Sequence, residues 1–158
     1  MKDKKAVIFY FLMTIILLDF GSQLRKVFEH PLVAQKINNA IFSIVHANNT
    51  GSAFSLLQDK ASILAIFGIT VVLIVALQVI KDVAFSDKTQ LLSLTLFSAG
   101  ALGNSIERLT MGHVVDYVKL NFVNFPIFNA FDIMICTGIF LYCLYIFFDF
   151  KKVNNDKN

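Results

Sequence analysis

Cysteine and histidine are scarce, two and three among 158 residues. Cys136 and Cys143 fall in a stretch that reads as one helix, on one face but about 10 Å apart along its axis, which is too far for them to bond. A disulfide framework is thereby excluded, and buried, inert thiols are the simpler reading. His30, His46 and His113 share no metal-ligand spacing with one another or with the cysteines, so neither a catalytic metal nor another cofactor is indicated. Charge is scarce as well. Asp, Glu, Lys and Arg make up 16% of the chain against 56% hydrophobic residues, with 17 phenylalanines, far from the mixture of a soluble domain. The net charge of +3 implies no nucleic-acid partner and is accounted for by a basic rim beside anionic membrane lipid. Internal repeats and low-complexity segments are absent, and nothing in the sequence fixes an oligomeric state.

What the chain has instead is long apolar runs. Four of them, roughly 6–25, 61–80, 90–108 and 127–149, approach the ~20 helical residues that a hydrocarbon core requires. The third is the most diluted, by Gly100, Gly103, Asn104 and Ser105. The first is followed by Asp19 and GSQLRKVF, with no A-x-A-like cleavage site, so it is kept as a helix rather than a removable leader. Residues 1–158 are read as one integral membrane domain of the all-α class, four transmembrane helices with a small extracytoplasmic β-rich loop region. Lys2, Lys4 and Lys5 precede the first span, Lys81 and Lys88 flank the short second connection, and Lys151, Lys152 and Lys157 follow the last. Basic residues are retained on the cytoplasmic side, so both termini are expected inside.

Between the first two spans, AIFSIVHA alternates as a strand does, and NNTG supplies residues that favour a turn. A small sheet or hairpin lying against the outer membrane surface is expected there. Pro126 suits the first turn of the last span, where a missing N–H is harmless, and Asn129 and Asp132 would then share a face. Gly100, Asn104 and Arg108 recur every four residues as one stripe of the third span, among small residues that allow close helix approach.

Two carboxylates carry the functional signal: Asp116 in GHVVDYV and Asp132 at the head of the last apolar run. An ionisable group facing hydrocarbon is expensive, so such a group normally faces protein or a wet cavity. For either residue alone, an interfacial acid reaching for water is the competing reading. Two carboxyls a few ångströms apart cannot both ionise cheaply, so one stays protonated while the other acts as a base. Such a pair activates water and polarises a carbonyl. Which partner is acid and which base stays open, because a coupled pair titrates together.

The order of motifs resembles a known family. NNTGSAFSLL is similar to an N-x-G-x-A-F-S motif, GALGNSIERLTMGHVVDYV to a G-N-x-x-D-R block followed by G-x-V-x-D-F, and FPIFNAFDIMI to an F-N-x-A-D block. Together they resemble the lipoprotein signal peptidases, or signal peptidase II. The resemblance implies a membrane aspartyl endopeptidase of the bacterial inner membrane that needs no metal. Its substrates would be diacylglyceryl-modified prolipoproteins, cleaved before the lipidated cysteine, with membrane lipids as the surrounding partner. It places the catalytic pair on Asp116 and Asp132 and supporting, substrate-binding positions on Asp19, Asn49, Gly51, Asn104, Arg108 and Asn129. Four positions depart from its pattern. Glu107 stands for Asp with a longer arm, Phe131 for a small residue beside Asp132, Gln23 for a lysine that would pair with Asp19, and Ser52 for a small apolar residue. Two other classes compete: a proton- or solute-conducting bundle with Asp19, Asp116 and Asp132 as a relay, and a noncatalytic homologue with a pocket altered by Phe131.

Overall fold

The computed structural model describes residues 4–51, 58–81 and 87–155. Ser52 and the AFSLL part of the first motif, Lys2, Lys157 and most of the second connection lie outside the described residues. The element order is α1 (Lys4–Phe28), α2 (Pro31–Lys36), β1 (Phe42–Asn49), α3 (Ala61–Lys81), α4 (Lys88–Met111), β2 (Val114–Leu120) and α5 (Ala130–Asn155).

Among the described residues, three helices are long and apolar enough to cross a membrane: α1, α3 and α5 over Ala130–Asp149. Their outward faces expose Ile8, Leu12 and Ile15, then Ile66, Phe67 and Leu73, then Phe140 and Phe147, which suits hydrocarbon rather than water. The third expected span, 90–108, is α4, and it is not among these. It packs against α1, α3 and α5, so its wall is protein on several sides and it tolerates buried Ser93, Thr95, Ser98 and Asn104. Their polar groups find partners locally. Ser93 Oγ donates to the Gln90 carbonyl at 2.6 Å, Thr95 Oγ1 donates to the Leu91 carbonyl at 2.7 Å, and the Ser98 hydroxyl lies 2.7 Å from the Tyr10 hydroxyl of α1. Asp87 caps the start of α4, accepting from the Thr89 and Gln90 N–H groups. Gly112 ends it in the left-handed region at φ 78, where glycine carries no Cβ penalty.

The expected strand at AIFSIVHA is β1, and the chain turns back on its start through an antiparallel bridge between Asn38 and Ser43. Its partner is β2, from the far side of two helices, paired antiparallel from Phe42 opposite Leu120 to Asn49 opposite Val114, with an irregularity between Ile44 and Ala47. Phe128 extends the sheet by a bridge to Val118. Neither β2 nor α2 is foreseen from the sequence.

Two other expectations are corrected. Pro126 precedes α5 rather than sitting in its first turn, and Asn129 is not on the helix face but caps it, its Oδ1 accepting from Phe131 N at 2.7 Å and Asp132 N at 3.1 Å. Asn and Asp three apart satisfy three N–H donors at once, because Asp132 Oδ2 also accepts from Asn129 N at 3.1 Å. That reciprocal cap outweighs the positional preference of proline. Cys136 and Cys143 are exposed, not buried.

Candidate active site

The loop, α4, β2 and the head of α5 meet at one point, and each brings a polar side chain. Asp116 on β2 is 3% exposed. Its Oδ2 accepts from Asn49 Nδ2 at 3.0 Å, at the end of β1, and its Oδ1 accepts from Asn129 Nδ2 at 2.8 Å. Asp132 is partly buried in the first turn of α5. Its Oδ1 accepts from Asn104 Nδ2 at 2.8 Å, and its Oδ2 takes the Asn129 backbone N–H already described. All four carboxylate oxygens thus have a donor, and Asn129 serves both acids, one by side chain and one by backbone. Asn129 Nδ2 also reaches Asn104 Oδ1 at 3.2 Å, closing the ring of amides.

Arg108 holds the loop to this ring. Its NH2 donates to the Gly51 carbonyl at 2.7 Å and its NH1 to the Asn104 carbonyl at 3.3 Å. Gly51 N in turn donates to Asn49 Oδ1 at 3.0 Å, the side-chain turn that NNTG foreshadows. Burial pushes the Asp116 carboxyl from its ordinary 3.8 up to about 6; the nearby Asp132 charge acts in the same direction, and the amide donors and Arg108 oppose it.

Both acids line a cavity of about 1310 Å³ with Asn49, Asn104 and Arg108. From that polar end the cavity follows the groove between α3 and α5 along Leu64, Phe67, Val71 and Ile133. One end can hold a peptide bond and a water, and the other an apolar chain.

Seven of the eight residues named from sequence meet here. Asp19 does not: it is exposed on α1 and is bonded by Gln23 Nε2 at 3.5 Å. The substitution of Gln23 for lysine therefore leaves Asp19 a weak i,i+4 partner rather than none. Glu107 is 6% exposed and spans three elements. Its Oε2 accepts from Val115 N, next to Asp116, at 3.0 Å, and its Oε1 accepts from Arg25 NH1 of α1 at 3.2 Å. The longer arm is thus engaged at both oxygens. Phe131 is 3% exposed and is not among the residues that line the cavity. A Cβ added at Gly21 of α1 or Gly103 of α4 would land on its ring, so the two glycines make the slot it fills.

The Signal peptidase (SPase) II family model matches residues 11–148. The chain belongs to the signal peptidase II family. Curated members include the lipoprotein signal peptidase of Streptococcus agalactiae, 39% identical over 118 residues, 75% of each chain. That of Streptococcus pneumoniae is 35% identical over 140 residues, 87% of this chain and 90% of the relative. Among solved structures, a bacterial membrane enzyme superposes with a TM-score of 0.79 at 25% identity, covering 96% of this chain and 93% of the other. As a member of the signal peptidase II family with several membrane-spanning helices, the chain is a multi-pass membrane peptidase.

Proposed function

We propose that this protein is an aspartic endopeptidase that removes the signal peptide from diacylglyceryl-modified prolipoproteins, with Asp116 and Asp132 as its catalytic pair. The observation that carries the reading is the meeting of two carboxyls, both held by Asn129, on the wall of a large and mostly apolar cavity. The ionised carboxyl takes a proton from water, whose oxygen attacks the scissile carbonyl carbon. The protonated carboxyl gives its proton to the carbonyl oxygen. Collapse of the tetrahedral species breaks the C–N bond, the proton taken from water passes to the departing amine of the lipidated cysteine, and one hydroxyl of the tetrahedral species returns its proton to the second carboxyl as the new carbonyl forms. The charge on Arg108 moderates the negative potential of the pair, while Asn49, Asn104 and Asn129 orient the carboxyls. Arg108 is always charged and bonds two carbonyls, so it is framework rather than a proton donor.

The domain is one membrane unit, residues 1–158, in which α4 also crosses the bilayer, making four spans, and both termini are cytoplasmic. The carboxyls then sit at the outer ends of the helices. A diacylglyceryl chain partitions into the bilayer at about 0.8 kcal/mol per buried CH₂, and the apolar groove below the acids receives it. The scissile bond beside the lipid is thereby brought to the pair, and proximity supplies much of the rate.

A mobility-shift assay with purified protein tests this. Asp116→Asn and Asp132→Asn should each insert and fold but not process a lipidated prolipoprotein; substantial turnover by either variant defeats the dyad. The matched precursor without its diacylglyceryl group should be cleaved poorly in the same liposomes. Equal rates would remove the lipid from the specificity.

A further inference from the structure

Tyr117 follows Asp116 on β2, and strand alternation sends the two side chains to opposite faces. Both nevertheless end at the first turn of α5. Asp116 reaches it through the Asn129 amide at 2.8 Å, and the Tyr117 hydroxyl oxygen accepts the Ala130 backbone N–H at 3.0 Å. That N–H belongs to the first residue of the helix and has no carbonyl partner within it.

Tyr117 is 3% exposed, and its ring stacks on Phe28 of α1 with centroids 5.1 Å apart and planes at 27°. Burial pushes its phenol above the ordinary value, so the group stays neutral and its oxygen remains an acceptor. The backbone of the same stretch is already joined to the approach to α5: Tyr117 N and Val118 N both donate to the Phe128 carbonyl, at 3.1 and 2.8 Å. The hydroxyl carries that clamp two residues further, past Asn129 and into the turn that holds Asp132.

We propose that the Tyr117 hydroxyl is a positioning group for the carboxyl pair. By holding the first N–H of α5 against β2, it fixes the approach and facing of Asp132 relative to Asp116. The inference rests on the aspartic reading above. Tyr117 is not among the residues lining the cavity, so it acts through the α5 backbone and not on substrate. A phenylalanine would fill the same volume and keep the stack on Phe28, while leaving the Ala130 N–H without its acceptor.

The test is Tyr117→Phe in the full chain, with a diacylglyceryl-modified prolipoprotein as substrate. The kcat should fall about tenfold, the loss expected from a slightly misplaced reacting group. The KM should be unchanged, because the cavity wall is intact. The limb of the pH–rate profile set by the pair should move toward the ordinary carboxylate range as water gains access to Asp116. Asp116→Asn and Asp132→Asn are run beside it. Cleavage by either would retire the aspartic reading, and this inference with it. If both are inactive while Tyr117→Phe keeps wild-type kcat and pH profile, the positioning role alone is overturned. A fall in kcat with an unmoved pH limb, or one explained by loss of folded protein, reduces Tyr117 to packing and likewise overturns it.

Discussion

At the scale of single residues, the tension in this molecule is between burial and charge at Asp116. Folding lifts its carboxyl from 3.8 to about 6, so between those values the folded chain keeps a proton that the unfolded chain has released. Stability therefore falls as pH rises across that interval and levels off above it. Asp116→Asn cannot ionise. Its melting temperature in detergent, relative to wild type, should rise between about pH 4 and about pH 7; a difference that stays constant over that range would mean the carboxyl is not penalised by folding. Asp116 and Asp132 themselves were legible because acids in so apolar a chain are conspicuous. Asn104, Arg108 and Asn129 stood out as polar residues at helical spacing, but they and Asn49 were assigned to the site through motif resemblance, since amides and a guanidinium near span ends carry no signal of what they bond. Tyr117 had no signal at all: an aromatic residue in an apolar strand reads as packing, and only its contact with the Ala130 N–H distinguishes it.

Among the helices and strands, periodicity and length located α1, α3 and α5 well, because an apolar run of span length has few other uses. The sheet was half legible. Alternation revealed β1, but pairing is a property of two segments, and its partner lies beyond two helices in the sequence. The head of α5 was misplaced because one proline was weighted above an Asn and Asp three apart. The contact of α1, α4 and α5 at Phe131 offers a sharper test of packing. Gly103→Ala should lower stability by roughly 1–3 kcal/mol by overfilling the Phe131 slot. Phe131→Ala should lower it by about 3–5 kcal/mol by emptying the slot. The double variant should lose less than the sum, since the added methyl enters the vacated space. Additive losses in thermal unfolding would mean that Gly103 and Phe131 do not meet.

For the whole molecule, the proposed arrangement in the bilayer is open to a direct spectroscopic test. Phe122 and Ile41 are 68% and 63% exposed, and Ile41 is joined to Asn121 through the Asn121 N–H at 2.9 Å, so both lie at one end of the sheet. The chain has no tryptophan, which makes Phe122→Trp a unique probe. If the sheet rests on the outer membrane surface, its emission should be blue-shifted in liposomes and quenched by brominated lipid; emission typical of water without quenching would lift the sheet off the bilayer. Reporters at either terminus should register as cytoplasmic, and tags near Asn39 or Val123 should be reached from outside. An inner location for either tag would invert the topology.

The reciprocal cap between Asn129 and Asp132 also has a consequence for biosynthesis. The donors that meet Asp116 come from Asn49, made early, and Asn129, made late, and the same few atoms that start α5 also orient Asp132. On the proposed roles, the ribosome has delivered most of the protein before a working pair of acids can exist, and the pair forms in the same step that winds the last helix. A chain stalled or cut before residue 129 carries the paired strands, the α3 wall of the groove and one idle carboxyl. On those roles, latency is written into the order of synthesis, because the second acid and the amide that serves both arrive last.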